Sequence, residues 1–168
     1  MIRLANSILA LLFVACTPPA DTLGTPEYFA GLTGTPLELE SPIGSCRHYT
    51  GLASEGSSAF VWRVSPSQTV KLRESLPSHE LQARSNEAEI VMWQPPVGMN
   101  LAFSNALQYA EKGECSLDSG IPPLSMLIRS MLESSETVAA QVNEGGDVGD
   151  LYIFSPALNL LAQVGYVN

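Results

Sequence analysis

Positive charge is scarce in this chain. Its 168 residues hold 8 Lys and Arg against 17 Asp and Glu, a formal net charge of −9, and Lys71 and Lys112 are its two lysines. Phosphate backbones repel such a chain, which excludes nucleic acid as the expected partner and excludes a polybasic clamp on anionic head groups. Histidine is limited to His48 and His79, so an imidazole acid–base pair has few places to form. No uninterrupted apolar run reaches the roughly 20 residues that a membrane-spanning helix needs. Signature patterns of catalysis are missing too: there is no Gly-x-Ser-x-Gly, Ser-x-x-Lys or His-Glu-x-x-His, and no Gly-rich loop leads into a helix. No catalytic residue, metal site or cofactor is therefore nominated.

What the chain does hold is enough apolar material, 45% of residues with 15% charged, to pack one core. The clearest local signal is N-terminal. Arg3 is followed by an apolar run from Leu4 to Ala15, broken by Asn6 and Ser7. At about 12 residues it is too short to span a bilayer and has the size of a signal-peptide apolar region. It ends in Phe13-Val14-Ala15-Cys16. This tetrapeptide resembles the lipobox of bacterial lipoproteins, with Phe13 where Leu is usual.

The resemblance covers about 16 residues and implies chemistry at Cys16. The peptide 1–15 would be removed as a signal peptide, and Cys16 would carry the acyl chains (palmitate or similar) that hold the protein to a membrane. Each buried methylene contributes about 0.8 kcal/mol to such an anchor. Thr17, which is not Asp, implies the outer membrane by the habit of that family, with the body facing the periplasm or the extracellular side. Removing residues 1–15 removes Arg3 and leaves 7 basic against 17 acidic residues, or −10.

Residues 16–35 contain Pro18, Pro19, Pro26, Gly24, Gly31 and Gly34 and read as a tether. Within it Thr25-Pro26-Glu27 is a helix-start pattern, so Tyr28, Phe29 and Leu32 are expected to form a short helix packed onto the body. The single body domain then runs over 36–168. Ser58 to Val64 and Glu89 to Trp93 read as strands. Thr69 to Glu74 alternates Val70 and Leu72 with Lys71 and Arg73. Preceded by Ser65-Pro66-Ser67-Gln68, it reads as the second arm of a hairpin, or else as a helix broken at Pro77. Asn100 to Gly113 carries a helical stripe of Phe103, Ala106, Leu107 and Ala110. A second helix follows Pro122-Pro123 with Leu124, Leu127, Ile128, Met131 and Leu132. Strand-like segments at 137–142, 151–154 and 160–167 complete the chain. The expected fold is α+β, a small antiparallel sheet with two helices packed on one face.

With Cys16 assigned to lipid, Cys46 and Cys115 are expected to form a structural disulfide, as befits an exported chain. His48 would share a strand face with Cys46, a thiol–imidazole arrangement that the disulfide would disable. His48, His79, Cys46 and Cys115 lack zinc-ligand spacing. Glu144, Asp147 and Asp150 lie in a Gly-rich segment that partly resembles a calcium-binding repeat, and a turn between strands explains the same residues. Glu38 with Glu40 and Glu87 with Glu89 are paired carboxylates that an acidic surface also explains. The aromatics Tyr49, Trp62, Trp93, Tyr152 and Tyr166 are expected to divide between core and rim.

The function expected from this is a lipid-anchored, non-catalytic cell-envelope protein. It would bind another envelope protein, a basic one by charge, as an assembly factor, pilotin-like chaperone or inhibitor. A lipoprotein that binds a small ligand or ion is the alternative, and a hydrolase with an unrecognised site a more distant one.

Overall fold

The computed structural model describes residues 26–49, 56–78, 80–82, 90–96, 101–143 and 148–167. The first helix, α1 (Pro26–Thr33), starts at the expected proline, whose missing N–H costs nothing in a first turn. Gly34, at φ 70°, ends it, and its N–H donates to the Ala30 carbonyl at 2.9 Å. Strands β1 (Gly44–Tyr49) and β2 (Gly56–Arg63) follow, paired antiparallel.

The next segment decides between the two readings of Thr69–Glu74. It is a helix, α2 (Pro66–Ser75), and the hairpin reading is corrected. The supposed turn is a capping box: Ser65 Oγ accepts from the Gln68 N–H, and Gln68 Oε1 accepts from the Ser65 N–H. Thr69, Leu72 and Leu76 are buried at helical spacing, whereas Val70 faces solvent. A single 3₁₀ turn at Leu76–Ser78 carries the chain on at Pro77.

Beyond it, β3 (Glu80–Gln82) and β4 (Ile90–Met92) form a separate two-stranded ribbon. Then come α3 (Leu101–Ala110), β5 (Glu114–Leu117), α4 (Leu124–Glu133), β6 (Val138–Asn143), β7 (Val148–Ser155) and β8 (Leu160–Val167). The main sheet has six strands in the order β5-β1-β2-β8-β7-β6, and its strand pairs are antiparallel. At the β6 edge, Gln94 and Ala139 exchange both backbone hydrogen bonds at 2.8 and 2.9 Å. The β7–β8 turn places Asn159 at φ 53°, a left-handed position that Asn tolerates, and its Oδ1 accepts from Thr69 Oγ1 at 2.8 Å.

The two expected helices, α3 and α4, lie together on one face. They cover Ala59, Val61, Leu151, Ile153, Ala162 and Val164 with Phe103, Leu107, Leu124, Ile128 and Met131. The other face is covered as well, by Phe29, Leu32, Leu37, Leu72, Leu76 and Trp93 over Phe60, Trp62, Tyr152, Phe154 and Leu161. Burial on both sides accounts for strands such as Ala59-Phe60-Val61-Trp62 that run apolar without alternating. The α+β class stands, with helices on both sides of the sheet. The expected helix at Tyr28, Phe29 and Leu32 is α1, and Phe29 is fully buried in this second layer.

Candidate functional site

Cys46 of β1 and Cys115 of β5 are directly opposite in register, with Cα atoms 4.1 Å apart and their sulfurs at bonding distance. The pair joins β5 to the sheet, and Cys46 is buried beneath α3 and α4. A bonded Cys46 has no thiolate to offer, so His48 serves no nucleophile there. The His48 ring stands edge-on to Tyr109 at 4.5 Å, and Lys112 Nζ lies 5.5 Å from the centre of that tyrosine ring. Among the described residues, no three His, Cys, Asp or Glu side chains gather as metal ligands. His79, Glu87, Glu89, Glu144 and Asp147 fall outside the described residues.

Asp150 has another use. Its Oδ1 accepts from Gln163 Nε2 at 2.9 Å, and Gln163 Oε1 accepts from the hydroxyl of Tyr28 on α1, also at 2.9 Å. Asp150 lies opposite Gly165 in register, and a Cβ on Gly165 would come within 2.7 Å of Asp150 Oδ1. The carboxylate thus lies over bare backbone and anchors a polar link between α1 and the sheet. Glu38 and Glu40 are exposed, Trp62 and Trp93 are core residues, and Tyr49 projects into solvent. Trp93 donates from Nε1 to the Leu32 carbonyl, which holds it in the second layer.

Two concavities lined by described residues bear on function. One, beside Glu40, is walled by Arg47, whose guanidinium carbon lies 4.9 Å above the Phe60 ring; Phe60 in turn stacks on Trp62. The Phe60 ring thus has the Arg47 guanidinium and the Trp62 ring already against it, which leaves no face of it for a ligand to stack on. The other is a cleft of about 160 Å³ between α3 and α4. Leu151 and Val164 of the sheet are its floor, and Phe103, Leu107, Ile128 and Leu132 are its walls. Ser104, Gln108 and Arg129 stand exposed at its rim.

The helices flanking this cleft are tied at one end. Beyond the last turn of α3, Glu111 Oε1 accepts the Ser125 N–H at 2.6 Å, supplying α4 with the N-terminal cap that Pro123 cannot. A mostly apolar cleft with a few polar groups at its mouth suits recognition, and its volume is that of about one large side chain. The apolar stripes of both helices are plain in the sequence, but Ser104, Gln108 and Arg129 are not, because nothing local marks where two helices stand apart.

The chain matches no protein-family model, no curated protein and no solved structure. Fold and cleft therefore rest on the chain's own chemistry. Among the described residues no helix is long and apolar enough to cross a membrane.

Proposed function

We propose that this chain is a lipid-anchored cell-envelope protein that binds another envelope protein and performs no chemistry on it. The observation that carries the reading is the α3–α4 cleft. It is open to solvent, apolar inside, and sized for one side chain of a partner. A single well-packed anchor of this kind dominates many protein interfaces. The Phe13-Val14-Ala15-Cys16 resemblance supplies the anchor, and the Cys46–Cys115 pair suits an oxidising compartment. Holding the domain at a membrane raises its effective concentration toward a partner there, so a modest contact suffices. The acidic body, at −10 after removal of residues 1–15, steers a basic partner toward it.

The test places a photo-crosslinking residue at Gln108, on the cleft rim, or at Val70, exposed on α2, in the intact protein in its native envelope. A discrete protein adduct from position 108, absent from position 70 and lost when Ser104→Trp fills the cleft, is the expected result. Identical adducts from both positions, or none from 108, overturn the reading. A lipoprotein that holds a small apolar ligand is the second reading the same cleft favours, and it would show ligand, not protein, attached at position 108.

A further inference from the structure

Resting on the partner-binding reading, we infer that the α3–α4 cleft recognises the carboxy-terminal residue of its partner: an apolar side chain enters the cleft while the free α-carboxylate meets Arg129. Three observations lead there. First, the cleft holds about 160 Å³, close to the ~150 Å³ apolar cavity that accommodates a benzene ring. That is room for one leucine or phenylalanine side chain and too little for a long acyl chain.

Second, the rim carries a cation. Arg129 lines the mouth next to Ile128 on α4 and makes no ion pair among the described residues, where Arg73–Glu136 is the pair formed. Arg129 stands exposed at that mouth, where a carboxylate can reach it. Its planar fork binds a carboxylate through two parallel hydrogen bonds.

Third, Ser104 and Gln108 face Arg129 from the α3 side and add neutral hydrogen-bonding groups to the same mouth. A terminal residue is the peptide element that presents an apolar side chain and a carboxylate on one carbon. Its two groups therefore reach the cleft and the rim together. A single terminal charge also escapes the long-range repulsion that an acidic partner would feel, provided the rest of the partner is neutral or basic.

The experiment titrates the intact purified chain with a basic octapeptide ending in leucine as the free acid. The comparisons are the same peptide ending in leucinamide, the same ending in glycine, and isocaproate, which is the leucine side chain and carboxylate without a peptide. The free-acid peptide is expected to bind, with amidation weakening it about tenfold or more, as loss of a charge-assisted contact does. Replacing leucine by glycine weakens binding by about as much. Arg129→Gln should abolish the difference between acid and amide while leaving the amide's affinity unchanged. Ser104→Trp should abolish binding of every peptide.

Equal affinity for acid and amide, or an intact preference in Arg129→Gln, overturns the inference. So does isocaproate binding as tightly as the peptide, since the ligand would then be a small acid. A protein adduct at Gln108 with no carboxylate preference would leave the partner-binding reading standing and sink this one. The absence of any adduct at Gln108 in the envelope would sink the partner-binding reading and this inference with it.

Discussion

Tyr28 and Gln163 stand 135 positions apart in the chain and meet at 2.9 Å, hydroxyl to side-chain carbonyl, where α1 lies on β8. Through Gln163 the link reaches Asp150, and beside it Phe29 packs edge-on against Trp62 with ring centres 5.3 Å apart. Helix α1 is thus part of the core.

Two substitutions grade that attachment. Tyr28→Phe keeps the ring and removes the hydroxyl, which should cost about 1 kcal/mol. Phe29→Ala empties a fully buried site and should cost about 3–5 kcal/mol. Urea unfolding of the two variants should rank them in that order. If Phe29→Ala unfolds like the wild type, α1 is not part of the cooperative unit.

The disulfide should dominate the response to reductant. Cys46 and Cys115 are 69 positions apart, and closing a loop of that length constrains the unfolded chain by about 4 kcal/mol in the chain-entropy account. Thiol titration in denaturant should find both cysteines blocked until reductant is added. The double variant Cys46→Ala, Cys115→Ala should melt well below the parent, and an unchanged melting temperature would contradict the pairing.

Two glycines should respond in opposite directions to the same methyl group. At Gly113 a Cβ would fall 2.0 Å from the Arg47 carbonyl oxygen, a backbone atom that cannot step aside. Gly113→Ala should therefore cost about 3 kcal/mol or expel β5 from the sheet. At Gly31, exposed in α1, a Cβ meets nothing within 4 Å. Gly31→Ala should add about 0.5–1 kcal/mol through helix propensity. Thermal melts of the pair read both signs at once.

Membrane attachment should depend on one sulfur. Cys16→Ser is expected to abolish labelling by a palmitate analogue and to leave the protein soluble or unprocessed, as loss of its acyl chains requires. Unchanged labelling and unchanged sedimentation with membranes would refute the lipid assignment.

The parts of the fold that were legible in the sequence are those with one strong local cause. Phe103, Ala106, Leu107 and Ala110 describe α3, and Leu124, Ile128 and Met131 describe α4, because a 3.6-residue repeat is visible without tertiary context. The β-formers of β2, β7 and β8 declared themselves in the same way. At α2 the alternation of Val70 and Leu72 with Lys71 and Arg73 imitated a strand, while the Ser65–Gln68 capping box was the better guide. The second covered face is implied by the unbroken apolar strands, but its cover comes from three separate stretches around Phe29, Leu72 and Trp93. The cleft was the least legible feature. Glu111 caps α4 at one end of it, a tertiary contact that no pattern in either helix announces.

The two margins of the six-stranded sheet are unlike, and that bears on how the protein behaves when concentrated. On the β6 side, the backbone of Gln94 already occupies part of the ladder. On the β5 side the margin, unpaired among the described residues, is four residues long and fastened to its neighbour by the Cys46–Cys115 pair, with Glu114 in it and Asp118 just beyond. A margin that short offers few hydrogen bonds to a neighbouring molecule, and two acidic groups at its ends oppose a like-charged copy. Packed side by side at high concentration, such molecules have little means of zipping into a ribbon. Weakening the disulfide would lengthen the exposed margin to β1 and should be the point at which polymerisation begins.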